Sequence, residues 1–220
     1  MQRLFSHFMF DGFSNKLSKS IYSDCLKTLH QNSLSEGLLK IIIVPIGESW
    51  EDVEYYIFPR ELPKIILEPV RIIFYSEKKY PILRFNPMYK SLSYMGNILA
   101  MKDAKQEGAF EPIFYNQFNI ITEGAMRNIF FIKDKVILTP SLDLGILNGV
   151  TRENIIKLSQ DLGYSINYSN IQISDINSMD EAFITSTGIG LTPCYWDGWK
   201  SNYTITLELK NIYNQMIKME

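Results

Sequence analysis

Three apolar runs between residues 112 and 132 constrain the fold more than any other part of the sequence. The runs at 112–116, 119–122 and 128–132 are too short for buried helices, and polar or turn-forming residues separate them. The last run continues into a second apolar run after Asp134 and Lys135, a spacing typical of a β-hairpin. This stretch therefore predicts a sheet built from short strands joined by tight turns.

Helical and strand patterns alternate along the rest of the chain. Apolar residues at steps of three and four predict helices at 16–31, 94–106, 151–162 and 204–218. Apolar runs predict further strands at 38–46, 53–58, 65–75, 165–168 and 181–186. The run at 38–46 is expected to be buried on both faces. These patterns predict an α/β (α+β) fold.

A segment rich in charge and proline at 76–89 divides the chain. We interpret it as the connection between two lobes, a small one at 1–85 and a larger one at 86–220. The small lobe opens directly on an amphipathic pattern with no polar cap before it, formed by Leu4, Phe5, Phe8 and Met9. Because a helix that starts without a cap is unusual, we expect that upstream coding sequence is missing.

The composition argues against several kinds of partner. A formal charge of −2 over 220 residues provides no basic surface for nucleic acid or an anionic membrane. No apolar run reaches about 18 residues, and the N-terminus lacks a signal-peptide pattern. Cys25 and Cys194 are too few for a disulfide framework, and His7 and His30 are isolated. We therefore expect a cytoplasmic protein without a metal site.

Lys90 lies between the charged connection and the predicted helix at 94–106. A lysine that forms a Schiff base has to be held where its amine is desolvated and often neutral. A place at the end of an element, away from a solvated face, suits this chemistry. Lysines at such junctions are also common for purely structural reasons, so the neighbouring motifs decide between the two interpretations.

Four motifs follow one another from Lys90 onward. KSLSY at 90–94 begins a helix, and TEG at 122–124 closes a strand shortly before NIF at 128–130. GILNGVTR at 145–152 leads into another helix, whose N-terminal N–H groups and dipole suit an anion such as phosphate. TSTG at 185–188 follows a strand and offers a second turn of this kind.

In this order and spacing the motifs resemble the class IV aminotransferases, which are pyridoxal phosphate (PLP) enzymes of fold type IV. The resemblance covers residues 85–215. It implies a two-lobed fold whose small N-terminal lobe is truncated here, a PLP cofactor, an amino acid or amino-chorismate substrate, and a homodimer.

The resemblance also implies roles for single residues. Lys90 would be the catalytic lysine, and Glu123 would lie beside the pyridine nitrogen of PLP and keep it protonated. For Tyr94, a hydrogen bond to the cofactor and simple packing are both open. Arg127 is expected to face solvent, or less readily to bind a substrate carboxylate. The implied cofactor-binding residues are Lys90, Tyr94, Glu123, Asn128, Gly149, Val150, Thr151, Ser186 and Thr187.

The sequence also departs from the family pattern. Ser93 replaces an asparagine, and Asn148 replaces a proline in the phosphate loop. MQRL at 1–4 resembles the end of a motif that, in relatives, follows a phosphate-binding arginine. That arginine and the first strands of the small lobe would then precede residue 1.

Three functions are compatible with these observations. The first is a transaminase that exchanges an amino group between an amino acid and a 2-oxo acid. The second is an aminodeoxychorismate lyase that releases pyruvate and 4-aminobenzoate, because the segment at 196–203 is short and Asn148 is present. The third is an inactive, shortened member of the family. Formation of glutamate from 2-oxoglutarate would separate the first from the second.

Overall fold

A computed structural model describes residues 15–35, 37–46, 52–63, 65–84 and 90–219. The chain divides into two compact units, Met1–Lys64 and Ile65–Glu220. The sequence placed this division later, at residue 85. The apolar pattern expected from Leu4 to Met9 lies outside the described residues.

The described part of the first unit contains one helix and a two-stranded sheet. Helix α1 (Asn15–Gln31) precedes strands β1 (Leu38–Pro45) and β2 (Val53–Arg60), which pair antiparallel. Residues of β2 alternate between half-buried and exposed, as expected of a sheet covered on one face. The prediction that 38–46 is buried on both faces was wrong, because β1 belongs to this small sheet and its residues are half-buried or exposed.

The second unit is built on a mixed sheet that has eight strands in the described part of the chain. Their order is β5-β4-β3-β10-β9-β6-β7-β8. The strands are β3 (Val70–Ser76), β4 (Glu111–Tyr115), β5 (Ile121–Gly124), β6 (Asn128–Lys133), β7 (Val136–Thr139), β8 (Ile166–Tyr168), β9 (Glu181–Ser186) and β10 (Gly190–Tyr195). The helices are α2 (Met95–Gln106), α3 (Val150–Asp161) and α4 (Thr204–Met219). Short 3₁₀ turns occur at Glu77–Lys79, Leu142–Leu144 and Ile173–Ser178.

The predicted hairpin is confirmed. Strands β6 and β7 pair antiparallel through Asp134 and Lys135. Both turn residues have positive φ, 48° and 62°, as a two-residue turn between right-twisted strands requires.

Strand β10 was not predicted, and Pro193 explains why. Proline lacks a backbone N–H and is usually excluded from central strands. In this sheet Pro193 is the last residue that pairs with β9, and the pairing with β3 begins at Cys194. The proline therefore lies where the strand changes partner.

Successive residues of β6 enter different hydrophobic clusters, as the alternation of side chains along a strand dictates. Phe131 belongs to a cluster that includes Ile72 and Trp196. Phe130 stacks on Phe183, with ring centroids 4.8 Å apart, and shares a cluster with residues of α3 and α4, among them Ile155 and Leu209. This packing fixes α3, and hence its N-terminus, against the strands that carry the candidate site.

Two kinds of feature are absent from the described residues. Of the helices within the described ranges, none combines the length and the apolar character needed to cross a bilayer. Within the same ranges, His, Cys, Asp and Glu side chains do not gather in groups of three or more that could hold a metal ion.

Candidate active site

Glu123 lies near the end of β5, and Asn128 begins β6. The four residues between them form a tight turn in which the Gly124 N–H donates to the carbonyl of Arg127 at 2.7 Å. Both side chains are buried, with 8% of Glu123 and 5% of Asn128 exposed. The turn therefore brings a carboxylate and an amide together inside the protein.

Three donors of the described residues hold the Glu123 carboxylate. A guanidinium N–H of Arg84 donates to Oε1. The Leu147 N–H donates to Oε2 at 3.1 Å, and the Asn128 amide donates to the same oxygen at 3.2 Å. Both carboxylate oxygens are therefore held in place. Arg84 holds Oε1, and Leu147 and Asn128 hold Oε2.

Arg84 also contacts a second carboxylate. Its Nε donates to Glu77 Oε1 at 2.9 Å and its Nη2 to the Thr122 hydroxyl at 3.2 Å. The Thr122 hydroxyl donates in turn to Glu77 Oε1 at 2.7 Å. Burial raises the pKa of Glu123, while the charge of Arg84 and the Leu147 N–H oppose that rise.

Sequence reasoning missed Arg84. It lies in the charged segment that we interpreted as a connection, six residues before Lys90, where no periodic pattern marks it. Its partners, Glu77 and Glu123, are 7 and 39 residues away along the chain. Only the folded structure reveals this pairing.

The loop at 147–149 leads into the N-terminus of α3. Gly149 caps the helix with extended backbone, φ −65° and ψ 143°. The first N–H groups of any α-helix lack partners within the helix, so those of Val150 and Thr151 are oriented to receive an anion. A Cβ placed on Gly149 would lie 2.3 Å from Asn128 Oδ1, so the backbone approaches the Asn128 side chain more closely than another residue would allow.

Lys90 and Tyr94 form a second pair. Lys90 Nζ donates to the Tyr94 hydroxyl oxygen at 3.1 Å, and Tyr94 caps the N-terminus of α2. Asn97 joins this helix to the turn after Glu123, because its amide donates to the Ala125 carbonyl at 2.8 Å. Lys90 is exposed, so the described residues do not give it the desolvation that we expected from its place in the sequence.

Ser186 and Thr187 lie at the end of β9, next to the start of β6. In the sheet register Thr185 is opposite Asn128, which places the two predicted residues just beyond it. Ser186 is half-buried and Thr187 is exposed. The Thr185 hydroxyl is buried without a hydrogen-bond partner among the described residues, a feature that a bound polar group could satisfy.

Arg127 does not face solvent, because only 15% of its side chain is exposed, so the first of the two expectations was wrong. It forms an ion pair with Glu111, whose side chain is completely buried. Glu111 also accepts from the Met126 N–H at 2.7 Å, and the guanidinium packs 4.5 Å from the ring centre of Phe110. Burial raises the pKa of Glu111, and Arg127 opposes that rise. The pair anchors the turn that follows Glu123.

These features fit the cofactor that the motifs imply. PLP needs a carboxylate for its ring nitrogen and N–H groups for its phosphate. Glu123 would supply the carboxylate and the N-terminus of α3 the N–H groups, and Asn128 lies against both. Asn97, in the helix that begins after Tyr94, bonds to the turn that follows Glu123.

Comparisons with known proteins place the chain in one family. The sequence profile described as amino-transferase class IV matches residues 16–195. D-alanine aminotransferase of Listeria monocytogenes is 39% identical over 104 residues, which cover 47% of this chain and 36% of that protein. Aminodeoxychorismate lyase of Bacillus subtilis is 34% identical over 104 residues, with the same two coverages. The matches thus span little more than a third of these curated relatives.

A solved structure confirms the fold class. The branched-chain aminotransferase of Thermoproteus uzoniensis, determined with norvaline, superimposes with a TM-score of 0.78 over 90% of this chain and 71% of that one. The two sequences are 24% identical. The likeness confirms the predicted α/β fold of type IV.

Proposed function

The chain belongs to the class IV aminotransferase family, and we propose that it is a PLP-dependent transaminase that transfers an amino group between an amino acid and a 2-oxo acid. The observation that carries this proposal is the buried Glu123 carboxylate, held by Arg84, Leu147 and Asn128 beside a helix N-terminus. A carboxylate and an anion site in this proximity match the two ends of PLP.

We assign the residues as follows. Glu123 would hold the ring nitrogen. The first turn of α3, with Gly149, Val150 and Thr151, would hold the phosphate together with Ser186 and Thr187. Lys90 would bind the cofactor covalently, and Tyr94 would orient Lys90, whose Nζ donates to the Tyr94 hydroxyl oxygen at 3.1 Å.

When bound, PLP supplies an electron sink for the carbanion that forms at the substrate's Cα. Glu123, whose carboxylate is fixed by three donors among the described residues, would keep the ring nitrogen protonated through its negative charge. Once the substrate's amino group has displaced it from the cofactor, Lys90 Nζ would take the proton from Cα and later return a proton as general acid. Tyr94 keeps Nζ oriented between these two transfers.

A lyase is the second candidate function. The likeness to the aminodeoxychorismate lyase of Bacillus subtilis, 34% identical over 104 residues, supports it. The same Lys90 would begin this reaction, and elimination of pyruvate would follow instead of amino transfer. An inactive family member is the third.

A product assay separates the three candidates. The purified chain is incubated with PLP, 2-oxoglutarate and a panel of amino acids, including D-alanine and L-leucine, and glutamate is measured. In a parallel reaction aminodeoxychorismate replaces the amino acids, and pyruvate is measured. Glutamate formation that Lys90→Ala abolishes supports the transaminase. Pyruvate alone supports the lyase, and neither product, in a folded chain that binds PLP, supports an inactive protein.

We propose that the protein is a homodimer. Helix α2 carries three apolar residues at helical spacing that are largely exposed: Met95 at 66%, Ile98 at 54% and Leu99 at 42%. Leu92, just before the helix, is 62% exposed. An apolar stripe of this kind suits a contact with a second copy of the chain.

We also propose that the protein works in the cytoplasm. Cys25 and Cys194 are both unpaired, and Cys194 is buried. Unpaired cysteines suit a reducing compartment.

A further inference from the structure

The Asn128 amide uses its hydrogens within the protein. Its Nδ2 donates to the Leu147 carbonyl at 2.8 Å and to Glu123 Oε2 at 3.2 Å. A side-chain amide has two N–H hydrogens, so none is left to donate to a ligand. Asn128 is 5% exposed, which also keeps the group away from solvent.

The other atom of the same amide faces the phosphate loop. A Cβ built on Gly149 would lie 2.3 Å from Asn128 Oδ1, and the next contacts, at 3.5 and 3.6 Å, are ordinary van der Waals distances. The Gly149 backbone, at φ −65° and ψ 143°, is one that alanine adopts without strain. The need for glycine at this position therefore comes from Asn128 and not from the backbone.

Leu147 completes the connection. Its N–H donates to Glu123 Oε2 at 3.1 Å, and its carbonyl accepts from both Asn128 and the Gly149 N–H, the latter at 2.9 Å. Asn128, Leu147 and Glu123 thus form a closed ring of hydrogen bonds. Neither the carboxylate nor the loop can shift without breaking a bond of this ring.

We infer that Asn128 is a positioning residue that locks the Glu123 carboxylate to the loop at 147–149 and so fixes the distance between the two ends of the cofactor site. The inference rests on the proposed function for what the site binds. It replaces direct cofactor binding by Asn128, the role that the sequence motif suggested. A rigid ligand gains affinity when both of its contacts are already at the correct separation.

The first experiment uses the chain without PLP. Urea unfolding is measured for the wild type, Asn128→Ala, Gly149→Ala and the double variant. We expect Gly149→Ala to lower the unfolding midpoint clearly in the wild-type background and only slightly in the Asn128→Ala background, because the obstructing Oδ1 is then absent. If Gly149→Ala alone does not fold, a double variant that does fold would equally show that Asn128 Oδ1 is the obstruction. If the effects of the two substitutions on the unfolding midpoint were additive, Asn128 and Gly149 would not be coupled and the inference would be wrong.

The second experiment measures the dissociation constant of PLP by absorbance titration. If Asn128 acts through Glu123, Asn128→Ala weakens binding by about tenfold, the value of one good hydrogen bond, and has a much smaller effect in a Glu123→Ala background. Equal effects in both backgrounds would show direct contact with the cofactor and overturn the inference. A folded wild type that binds no PLP would overturn the proposed function, whereas the unfolding cycle would still decide whether the lock exists.

Discussion

At the scale of single residues, burial and charge act in opposite directions on Glu123. Burial raises the pKa of its carboxyl above the ordinary 4.5, and the Arg84 guanidinium opposes that rise. Both side chains are largely buried: 15% of the Arg84 side chain and 11% of the Glu123 side chain are exposed. The ionised state of Glu123 therefore depends on a residue that lies outside all of the family motifs in the sequence.

Replacing Arg84 by glutamine should make stability more dependent on pH. A raised pKa means that the folded chain holds its proton more tightly than the unfolded chain, so stability falls as pH rises from 4.5 towards the folded-state value. Without Arg84 that value rises further. We expect a small cost near about pH 4 and a cost of about 3–5 kcal/mol near about pH 7, typical of a buried carboxylate that loses its partner.

Urea unfolding at several pH values tests this prediction. Arg84→Lys is the matched control, because it keeps the positive charge and should have a weaker dependence on pH. Glu77 shares the guanidinium and loses a partner as well. A cost of Arg84→Gln that is the same at every pH would contradict an electrostatic role.

The buried pair of Arg127 and Glu111 gives a second prediction at this scale. Arg127→Leu leaves a completely buried carboxylate without its cation and should lower the free energy of unfolding by about 3–5 kcal/mol. Lys133→Ala is the control, since its pair with Asp180 is 40% and 48% exposed and should be worth only about 0–1 kcal/mol. If denaturant unfolding showed equal losses of unfolding free energy for the two variants, the buried pair would contribute no more than the exposed one.

At the scale of elements, local sequence predicted most of the fold. The hairpin at Asp134 and Lys135 and helices α1 to α4 follow from patterns that depend on neighbouring residues. Strand β10 was missed because it contains Pro193. The proline fits only because the strand changes its partner from β9 to β3 at this point, which is a property of the whole sheet. Arg84 was missed for the same kind of reason, since its role is set by distant carboxylates.

The β6–β7 turn offers a test of local strain. Lys135 adopts φ 62°, a region that glycine occupies without cost. Lys135→Gly should therefore stabilise the protein by about 1 kcal/mol. Lys157→Gly, at an exposed position inside α3, should destabilise it by about 1 kcal/mol. Thermal unfolding measures whether the first variant gains stability and the second loses it. A loss of stability in Lys135→Gly would show that the positive φ of Lys135 carries no strain.

The apolar stripe on α2 leads to a prediction about assembly. Ile98→Glu places a charge in the centre of the stripe and should convert a dimer into a folded monomer, because a buried unpaired charge opposes association. Lys157→Glu, at an exposed position of α3 and outside the stripe, should remain dimeric. Light scattering coupled to size-exclusion chromatography gives the mass. An Ile98→Glu protein that stays dimeric would place the interface elsewhere.

At the scale of the whole molecule, the eight-stranded sheet brings together motifs that are far apart in the sequence. Glu123, Asn128 and Gly149 meet because β5, β6 and the start of α3 converge, and β9 adds the residues after Thr185. The order of the motifs was sufficient to predict the fold class. The hydrogen bonds that join them, through Arg84 and Leu147, required the structure.

We propose that PLP is bound through Lys90, and covalent trapping can identify the lysine that reacts. The chain is incubated with PLP, reduced with borohydride, digested and analysed by peptide mass spectrometry. We expect the adduct on the peptide that contains Lys90, its loss in Lys90→Ala, and its retention in Lys105→Ala, a variant of an exposed lysine in α2. An adduct on other lysines alone, or no adduct in the folded wild type, would contradict the proposed role of Lys90.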